Sequence, residues 1–265
     1  MRGSIFFMQT VILCGGLGTR LREETEYRPK PMVEIGGRPI LWHIMKSYAA
    51  HGFTEFVVCL GYKGERIKEY FLNYEAMNND FTIELGASRL DLHASHGERG
   101  WRVTLADTGL HSMTGTRIKR VSRYLTGDRF MLTYGDGVAN VDIRALVEFH
   151  RRAKTVGVVT GVRPSSRFGE LLTDGRDHVK QFSEKPQTHT GLINGGFFVF
   201  DRAFLDYLSD DDGCVLEREP LERLAAEGQL SVYQHDGFWQ CMDTYRDHQL
   251  LNQLWDSGQA AWKTW

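Results

Sequence analysis

The chain has 265 residues, 42% of them hydrophobic and 25% charged, which is ordinary globular composition and excludes a disordered or coiled-coil protein. Its 32 basic and 34 acidic residues give a formal net charge of −2, so no overall positive field attracts a nucleic acid polymer. Glycine is frequent: it makes up 28 of the 265 residues, about 11%, against a usual share of about 7%. This excess suggests phosphate sites formed by the backbone.

The first residues of the chain are typical of an expression leader. Met1-Arg2-Gly3-Ser4 has that composition, and Met8 is the expected natural start. A secretion signal is not predicted, because Leu13 stands where a small residue should precede Cys14. No apolar run approaches about 18 residues, so no membrane span is predicted. The four cysteines have no metal-ligand or disulfide-framework spacing, which favours the cytoplasm.

Strand-like and helix-like patterns alternate along the first part of the chain. The predicted strands are Thr10–Cys14, Glu55–Leu60, Arg102–Ala106, Arg129–Tyr134 and Thr155–Val162. The predicted helices are Pro39–His51, Gly64–Tyr74, Thr116–Leu125 and Asp142–Ala153, with Asp142 as an N-cap. The alternation predicts an α/β fold with a mainly parallel sheet, helices on both faces and any ligand along one sheet edge.

After about residue 163 the pattern changes to short alternating segments. Antiparallel additions are predicted at Gly169–Thr173, Val179–Ser183, Gly196–Phe200 and Leu230–Gln234. Helices are predicted at Arg202–Leu208, Glu217–Gly228 and Thr244–Gly258, the last opening with a variant capping box. Ser88–Arg102 has no clear period and predicts an irregular loop with a binding or subunit-contact role. No linker divides the chain, so residues 8–265 are predicted to form one domain and residues 1–7 a leader or tag.

The strongest motif is a glycine-rich turn directly after the first predicted strand. It reads Leu13-Cys14-Gly15-Gly16-Leu17-Gly18-Thr19-Arg20. Glycines let the backbone approach a ligand and turn its N–H groups toward anionic oxygens, and an arginine adds a donor fork suited to phosphate. The spacing is neither the dinucleotide G-x-G-x-x-G nor a P-loop. The alternative is a tight bend with no ligand.

A lysine flanked by prolines follows ten residues later, in Pro29-Lys30-Pro31. The two prolines predict an extended segment, which would aim Lys30 and keep it out of a helix. A solvated surface lysine is the alternative, and the glycine-rich turn before it favours a functional role.

Two aspartates are candidate ligands for a divalent cation. Asp136 stands between two glycines at the carboxyl end of an apolar strand, and Asp243 stands just before a predicted helix. Mg²⁺ usually takes one or two carboxylates together with substrate phosphates. The alternatives are a turn aspartate and a favourable charge at a helix terminus.

Weaker signals lie in the second half of the chain. Glu184 and Lys185 offer a carboxylate for hydroxyl groups beside a cation for a phosphate, and Asn194 precedes two glycines. A solvated ion pair and a turn are the alternatives. The chain has no nucleophile elbow and no H-E-x-x-H motif, and His43 and His150 are predicted to be packing residues.

Together these motifs resemble the signature of the sugar-phosphate nucleotidylyltransferases, on Gly15–Leu21 and Lys30-Pro31-Met32. Segments 112–120, 237–243 and 262–265 are similar to the cytidylyl branch, and the resemblance runs from Met8 over nearly the whole chain. It implies a Rossmann-like, mainly parallel mixed sheet flanked by helices, with a smaller antiparallel sugar-binding region. It also implies a Mg²⁺-dependent reaction of CTP with α-D-glucose 1-phosphate that gives CDP-glucose and diphosphate.

The resemblance also implies roles for individual residues. Arg20, Lys30, Asp136 and Asp243 are the catalytic candidates, with Arg20 on the leaving phosphates, Lys30 near the reacting centre and the two aspartates on Mg²⁺. Lys185 is expected to bind the sugar phosphate, and Glu184 and Asn194 the sugar hydroxyls. The expected nucleotide-binding residues are Leu13, Gly15, Gly16, Leu17, Gly18, Thr19, Arg20, Ser112, Arg117 and Gly135.

The resemblance further implies a homo-oligomer, a hexamer in that branch, whose product feeds CDP-linked deoxysugars of bacterial surface polysaccharide. Two alternatives remain at this point. One is a sibling enzyme that uses UTP, dTTP or GTP. The other is a sugar-nucleotide sensor without catalysis, which would require the loss of a catalytic candidate, and all four are present.

Overall fold

The computed structural model describes residues 8–87, 89–93, 96–163, 170–173, 179–183 and 191–265. The strands in these ranges are β1 Gln9–Cys14, β2 Glu34–Ile35, β3 Arg38–Pro39, β4 Glu55–Leu60, β5 Phe81–Glu84, β6 Arg89–Leu92, β7 Arg102–Asp107, β8 Arg129–Tyr134, β9 Gly137–Ala139, β10 Gly157–Val162, β11 Glu170–Thr173, β12 Val179–Ser183, β13 Ile193–Asp201, β14 Leu230–His235 and β15 Trp239–Cys241. The α-helices are α1 Arg22–Thr25, α2 Ile40–Ala50, α3 Gly64–Leu72, α4 Tyr74–Met77, α5 Thr114–Val121, α6 Ile143–Ala153, α7 Glu219–Ala226 and α8 Tyr245–Asp256. Short 3-10 helices lie at Thr19–Leu21, Lys30–Met32, Ser122–Tyr124 and Arg202–Tyr207.

A seven-stranded sheet lies at the centre, in the spatial order β14-β10-β13-β8-β1-β4-β7. β1 pairs in parallel with β4 and β8, and β4 pairs in parallel with β7. β13 is antiparallel to both of its neighbours, β8 and β10. The predicted α/β architecture, a mainly parallel mixed sheet with antiparallel additions, is therefore confirmed.

The direction of β14 differs from the prediction. The segment was expected to be an antiparallel addition, but it pairs in parallel with β10, with Gly157 opposite Leu230 and Val162 opposite His235. An alternation of apolar and polar residues reports a half-buried strand and carries no information on strand direction. The prediction was therefore wrong on pairing and correct on the strand itself.

Helices cover both faces of the sheet, as the alternation of elements predicts. Successive residues of β1 point to opposite faces: Ile12 joins one buried cluster with residues of α2, α6 and α8, and Val11 joins another with residues of α5 and α7. Both side chains are completely buried. Burying such a side chain stabilises the fold by about 1.5–3 kcal/mol. Within the described ranges, no helix is long and apolar enough to cross a membrane.

Two helix starts confirm the capping predictions. The Asp142 carboxylate accepts a hydrogen bond from the Ala145 N–H at 2.9 Å, at the start of α6. At the start of α8, the Thr244 hydroxyl accepts from the Asp247 N–H and the Asp247 carboxylate accepts from the Thr244 N–H. The second cap fixes the chain immediately after Asp243, because it defines where the helix begins.

His43 is a packing residue, as predicted. It is completely buried, its Nε2 lies 2.8 Å from the Ile35 carbonyl oxygen, and the indole N–H of Trp262 donates to its Nδ1 at 3.3 Å. Burial lowers the pKa of His43 to about 4, so the imidazole is neutral at pH 7. The contact joins α2 to a segment more than 200 residues later in the chain.

The predicted irregular loop at Ser88–Arg102 contains a strand. β5 and β6 form an antiparallel hairpin in which Phe81 lies opposite Leu92 and Ile83 lies opposite Leu90. These four side chains share one face of the hairpin because directly opposed residues and residues two apart point the same way. We call Phe81, Ile83, Leu90 and Leu92 the hairpin face. Leu90 and Leu92 alternate with Arg89 and Asp91, so the period of two is present in the sequence but extends over only four residues.

Candidate active site

Two cavities adjoin at the carboxyl edge of the central sheet. The larger, of about 420 Å³, lies over the ends of β1 and β8, and the smaller, of about 240 Å³, lies between β8, β13 and β15. Four residues line both cavities: Arg20, Tyr134, Asp136 and Asp243. Ligands of parallel sheets bind at this edge, so the described structure places the expected catalytic side chains where two ligands would meet.

The glycine-rich turn forms one wall of the larger cavity. Gly15, Gly16, Gly18 and Thr19 line it, whereas the side chain of Leu17 is 52% exposed and is not part of the lining. Gly18 has a φ of +64°, a left-handed conformation that favours glycine, and its carbonyl accepts from the Thr25 hydroxyl at 3.0 Å. The backbone of the turn is therefore open toward the cavity and held from behind.

Arg117 supports that turn from below. Its guanidinium lies behind the glycines and donates to carbonyl oxygens at the carboxyl ends of three strands: Gly15 after β1 at 3.1 Å, Leu60 at the end of β4 at 3.0 Å and Gly109 after β7 at 2.7 Å. The residue is 4% exposed. An ideal Cβ on Gly15 would lie 2.2 Å from Arg117 Nη1, so a glycine is required there for the guanidinium to fit. Arg117 lines the larger cavity and at the same time joins the carboxyl ends of β1, β4 and β7.

Replacing Arg117 by Met is expected to lower the free energy of unfolding by roughly 3 kcal/mol. Several buried carbonyl groups lose their donor together, and each unsatisfied group costs about 1–3 kcal/mol. Urea denaturation of the purified variant measures the change. Arg123→Met is the matched control, because Arg123 lies on the next turn and is exposed, and a surface change stays within about 0.5 kcal/mol. Equal stability of the two variants would contradict the supporting role of Arg117.

A compact charged cluster lies at the junction of the cavities. Lys30 Nζ lies 2.7 Å from Asp136 Oδ2 and 2.6 Å from Asp243 Oδ1, and Arg20 Nη1 lies 2.7 Å from Asp243 Oδ2. The Lys30 side chain is 12% exposed and the Arg20 side chain 75% exposed. The lysine is thus a fixed part of the cluster, whereas the arginine pair is solvated and weak.

The cluster keeps its charges at neutral pH. Burial opposes ionisation of Asp243, but the hydrogen bond and charge of Lys30, together with the charge of Arg20, hold the pKa of Asp243 below its ordinary value. Burial likewise opposes the charge on Lys30, and the two carboxylates outweigh it and raise the pKa of Lys30. Asp243 is therefore ionised and Lys30 protonated at pH 7.

The backbone around Lys30 differs in part from the prediction. Pro29 is extended, with φ −68° and ψ 151°, as predicted for this proline-containing segment. Lys30–Met32, however, forms one turn of 3-10 helix. Pro31 is compatible with that turn because the first N–H groups of a helix have no intrahelical partner to lose. The lysine is held by this turn and not by extended chain.

The other predicted site residues occupy different parts of the two cavities. Gly135 lines the larger cavity beneath the turn, and its N–H donates to the Leu13 carbonyl at 3.0 Å. Ser112 also lines it, but its hydroxyl donates to Asp212 and accepts from Arg120. Asn194 lines the smaller cavity. Glu184 and Lys185 lie outside the described residues.

Sequence reasoning missed Tyr134 and Glu217. Tyr134 lines both cavities, and its hydroxyl donates to Glu217, which lines the larger one, at 2.5 Å. Tyr134 is the last residue of β8, two positions before Asp136, so its place at the strand end could have indicated a site residue. Glu217 follows an acidic stretch without any recognised motif, so no sequence signal pointed to it.

The cysteines that line the cavities are poor nucleophiles. Burial raises the pKa of the Cys14 thiol well above its ordinary value, and the nearby thiol of Cys59 raises it further. Burial, followed by the charge of Asp243, raises the pKa of Cys241 to about 12. Only a thiolate attacks readily. These two thiols are therefore not expected to act as nucleophiles, and the charged cluster is suited to positioning anionic ligands and to electrostatic stabilisation.

The chain is similar to known proteins in sequence and in fold. A model of the nucleotidyl transferase family matches residues 9–247. Glucose-1-phosphate cytidylyltransferase of Salmonella typhi is 51% identical over 259 residues, which cover 97% of this chain and 100% of that protein. A Bacillus subtilis protein described as a probable glucose-1-phosphate cytidylyltransferase is 44% identical, with coverages of 97% and 100%. The crystal structure of HddC from Yersinia pseudotuberculosis has the same fold, with a TM-score of 0.68 at 22% identity, covering 94% of this chain and 99% of that one.

Proposed function

The chain belongs to the nucleotidyl transferase family, and from that premise we propose that it joins CTP to α-D-glucose 1-phosphate, forming CDP-glucose and diphosphate. The observation that carries the proposal is the charged cluster at the junction of two cavities. The larger cavity, walled by the glycine-rich turn, takes the nucleotide, and the smaller cavity takes the sugar phosphate. The sequence identity to cytidylyltransferases supports the choice of both substrates.

The chemistry requires no general base. A phosphate monoester has a second pKa near 6, so the sugar phosphate is already an anionic nucleophile at pH 7. The difficulty is electrostatic, because this anion must approach the anionic α-phosphorus of CTP in line with the leaving diphosphate. The protein therefore has to hold both substrates in line and to neutralise their charge.

The residues at the junction meet these requirements. Lys30 is largely shielded from solvent and held by two carboxylates, so its ammonium can stabilise the charge that develops at the reacting phosphate. Arg20 is exposed and held by one solvated ion pair, so its guanidinium is available to the β- and γ-phosphates that leave as diphosphate. The backbone of Gly15 and Gly16 and the segment from Ser112 to Arg117 hold the nucleotide from the other side.

The donor set at the junction fits a divalent cation that is shared with substrate. Asp136 and Asp243 converge on the same Lys30 nitrogen, at 2.7 and 2.6 Å. Within the part of the chain that the structure describes, no group of three or more His, Cys, Asp or Glu side chains forms a metal site. Mg²⁺ usually takes one or two carboxylates and completes its shell with phosphates and water. We propose these aspartates as its ligands; bound Mg²⁺ would neutralise charge on the phosphates of both substrates.

A turnover assay with four nucleotides tests the proposal. The purified enzyme is mixed with Mg²⁺, glucose 1-phosphate and CTP, UTP, dTTP or GTP in turn, and released diphosphate is measured. We expect the highest kcat/KM with CTP. A higher value with another nucleotide would identify a sibling transferase. Binding of CDP-glucose with no diphosphate release from any nucleotide would identify a sensor and overturn the catalytic proposal.

Lys185→Ala is expected to raise the KM for glucose 1-phosphate far more than that for CTP. We propose that Lys185 binds the sugar phosphate, and a hydrogen bond to a charged group contributes about 1.5–3 kcal/mol, so the rise is roughly tenfold to a hundredfold. Glu184→Gln is expected to reduce discrimination among sugar 1-phosphates, because a carboxylate matched to hydroxyl groups enforces specificity. Steady-state kinetics with each substrate varied separately measures both effects. A Lys185→Ala defect confined to CTP would assign the lysine to the nucleotide.

The hairpin face supports a homo-oligomer, and the resemblance of the sequence favours six subunits. Its four apolar side chains are between 42% and 52% exposed. A two-stranded hairpin is marginally stable alone in water, and a contiguous exposed apolar surface marks an interaction site. We propose that this face packs against another copy of the chain. A monomer mass by light scattering at micromolar concentration would contradict the assembly.

We further propose that the enzyme works in the cytoplasm and supplies CDP-linked deoxysugars for bacterial surface polysaccharide. All four cysteines are free thiols in the structure, which is typical of a reducing compartment. Accumulation of CDP-glucose in a cytoplasmic extract that depends on this chain would test both statements.

A further inference from the structure

Three hydrogen bonds run in one direction through the wall between the two cavities. The Gly196 N–H donates to Asn194 Oδ1 at 2.8 Å, Asn194 Nδ2 donates to Tyr134 Oη at 3.1 Å, and Tyr134 Oη donates to Glu217 Oε1 at 2.5 Å. Asn194 lines the smaller cavity and Glu217 the larger, and Tyr134 lines both. The chain of hydrogen bonds therefore begins on the sugar side and ends on a carboxylate on the nucleotide side.

The donor-to-acceptor direction of this series of hydrogen bonds is fixed at both ends. A backbone N–H can only donate, so the Gly196 N–H requires the oxygen of the Asn194 amide. The amide nitrogen then faces Tyr134, whose oxygen must accept. The phenol proton must go elsewhere, and an ionised carboxylate can only accept.

Glu217 is itself held in place. The Thr114 hydroxyl donates to Glu217 Oε2 at 2.7 Å, and the Leu216 N–H donates to the Thr114 hydroxyl at 2.9 Å. Each carboxylate oxygen is thus engaged by a hydroxyl group of a different element, α5 or β8. A glutamate anchored at both oxygens is a fixed acceptor for the Tyr134 proton.

We propose that Glu217 is a positioning residue for the sugar-phosphate substrate, acting through Tyr134 on Asn194. By accepting the phenol proton it leaves the tyrosine oxygen free to accept from Asn194, so the amide is held in one orientation. The second N–H and the remaining lone pair of that amide are then available to sugar hydroxyls in the smaller cavity. This inference rests on the proposed function, which assigns the smaller cavity to the sugar phosphate.

The decisive variant is Glu217→Ala, with the two substrates varied separately. We expect the KM for glucose 1-phosphate to rise about three- to tenfold, the effect of one lost hydrogen bond. Glu217 lines the nucleotide cavity, but both of its carboxylate oxygens are engaged by the hydroxyl groups of Tyr134 and Thr114. The KM for CTP is therefore expected to stay within about twofold of wild type. Glu219→Ala is the matched control, since Glu219 is exposed two positions later and lines neither cavity.

Two further variants separate positioning from a merely structural role. Glu217→Gln keeps an oxygen that can accept the phenol proton, so it should restore the KM for glucose 1-phosphate to within about twofold of wild type. Tyr134→Phe should resemble Glu217→Ala. The double variant should be no worse than Tyr134→Phe alone, because residues that act through one chain are not additive. Additive losses would overturn the proposal.

Calorimetric titration with glucose 1-phosphate gives a readout that does not depend on turnover. The same weakening is expected there for Glu217→Ala, and wild-type binding affinity in that variant would overturn the proposal. A loss confined to CTP would also overturn it. If wild type prefers another nucleotide, the kinetics are run with that nucleotide, so a wrong base assignment and a wrong positioning role remain separate outcomes. If Glu217→Ala loses its cooperative thermal unfolding, Tyr134→Phe decides, and equal losses for both substrates would refute the role.

Discussion

Lys30→Ala is expected to retain the fold and to lose turnover by a factor on the order of 10²–10³, the usual effect of removing one group that stabilises the transition state. The ammonium lies within 2.7 Å of both Asp136 and Asp243, so its removal also leaves two carboxylates facing each other. Without the ammonium the two carboxylates are not neutralised, so the junction is more negative at the place where two phosphates must meet. Single-turnover rates with saturating substrates measure the chemical step.

Two controls make the Lys30 result specific. Lys30→Met keeps most of the aliphatic stem and removes the charge, so it should lose nearly as much turnover as the alanine variant if charge is the cause. Lys68→Ala removes an exposed lysine of α3 and should leave turnover unchanged. Near-normal turnover of a folded Lys30→Ala enzyme would refute the assignment of Lys30 to the reacting centre.

Asp136→Asn is expected to weaken the use of Mg²⁺ by about 10–100-fold or more, since even the loss of a residue that only orients a metal ligand costs that much. The substitution preserves the shape of the side chain and removes its charge. Because the Asp136 side chain is 34% exposed, the free energy of unfolding should change little. Initial rates over a range of Mg²⁺ concentrations measure the shift in half-saturation.

The control for this variant is Asp236→Asn, which removes an exposed carboxylate that pairs with Arg163 and lines neither cavity. Its metal dependence should equal that of wild type. An unchanged metal dependence in Asp136→Asn itself would mean that Asp136 is a turn residue, and a metal would then have to bind elsewhere.

The elements that the sequence predicted best are those specified by neighbouring residues. The glycine-rich turn, the N-cap at Asp142 and the capping box at Thr244 each depend on a few adjacent positions, so a local pattern is sufficient. The position of Asp136 beside the cavities was predictable because a strand end and two flanking glycines mark the edge at which a parallel sheet binds ligands.

The features that the sequence left open depend on distant residues. The role of Arg117 follows from carbonyl groups at 15, 60 and 109, which come together only when three strands align. Glu217 enters the site through Tyr134, 83 positions earlier in the chain. The direction of β14 was unpredictable for the same reason, because alternation is identical in either direction. Contacts between residues so far apart in sequence are set by the topology of the fold and leave no local sequence pattern.

The shared wall of the two cavities has a consequence for inhibition. Because Arg20, Tyr134, Asp136 and Asp243 line both cavities, a single molecule that spans the junction contacts the same side chains as two separate ligands. Joining a nucleotide fragment to a sugar-phosphate fragment makes the second binding event intramolecular, and the affinity gained depends on how well the linker matches the span. A bisubstrate ligand should therefore exclude both substrates at once, and the length of its phosphate bridge becomes the variable to optimise.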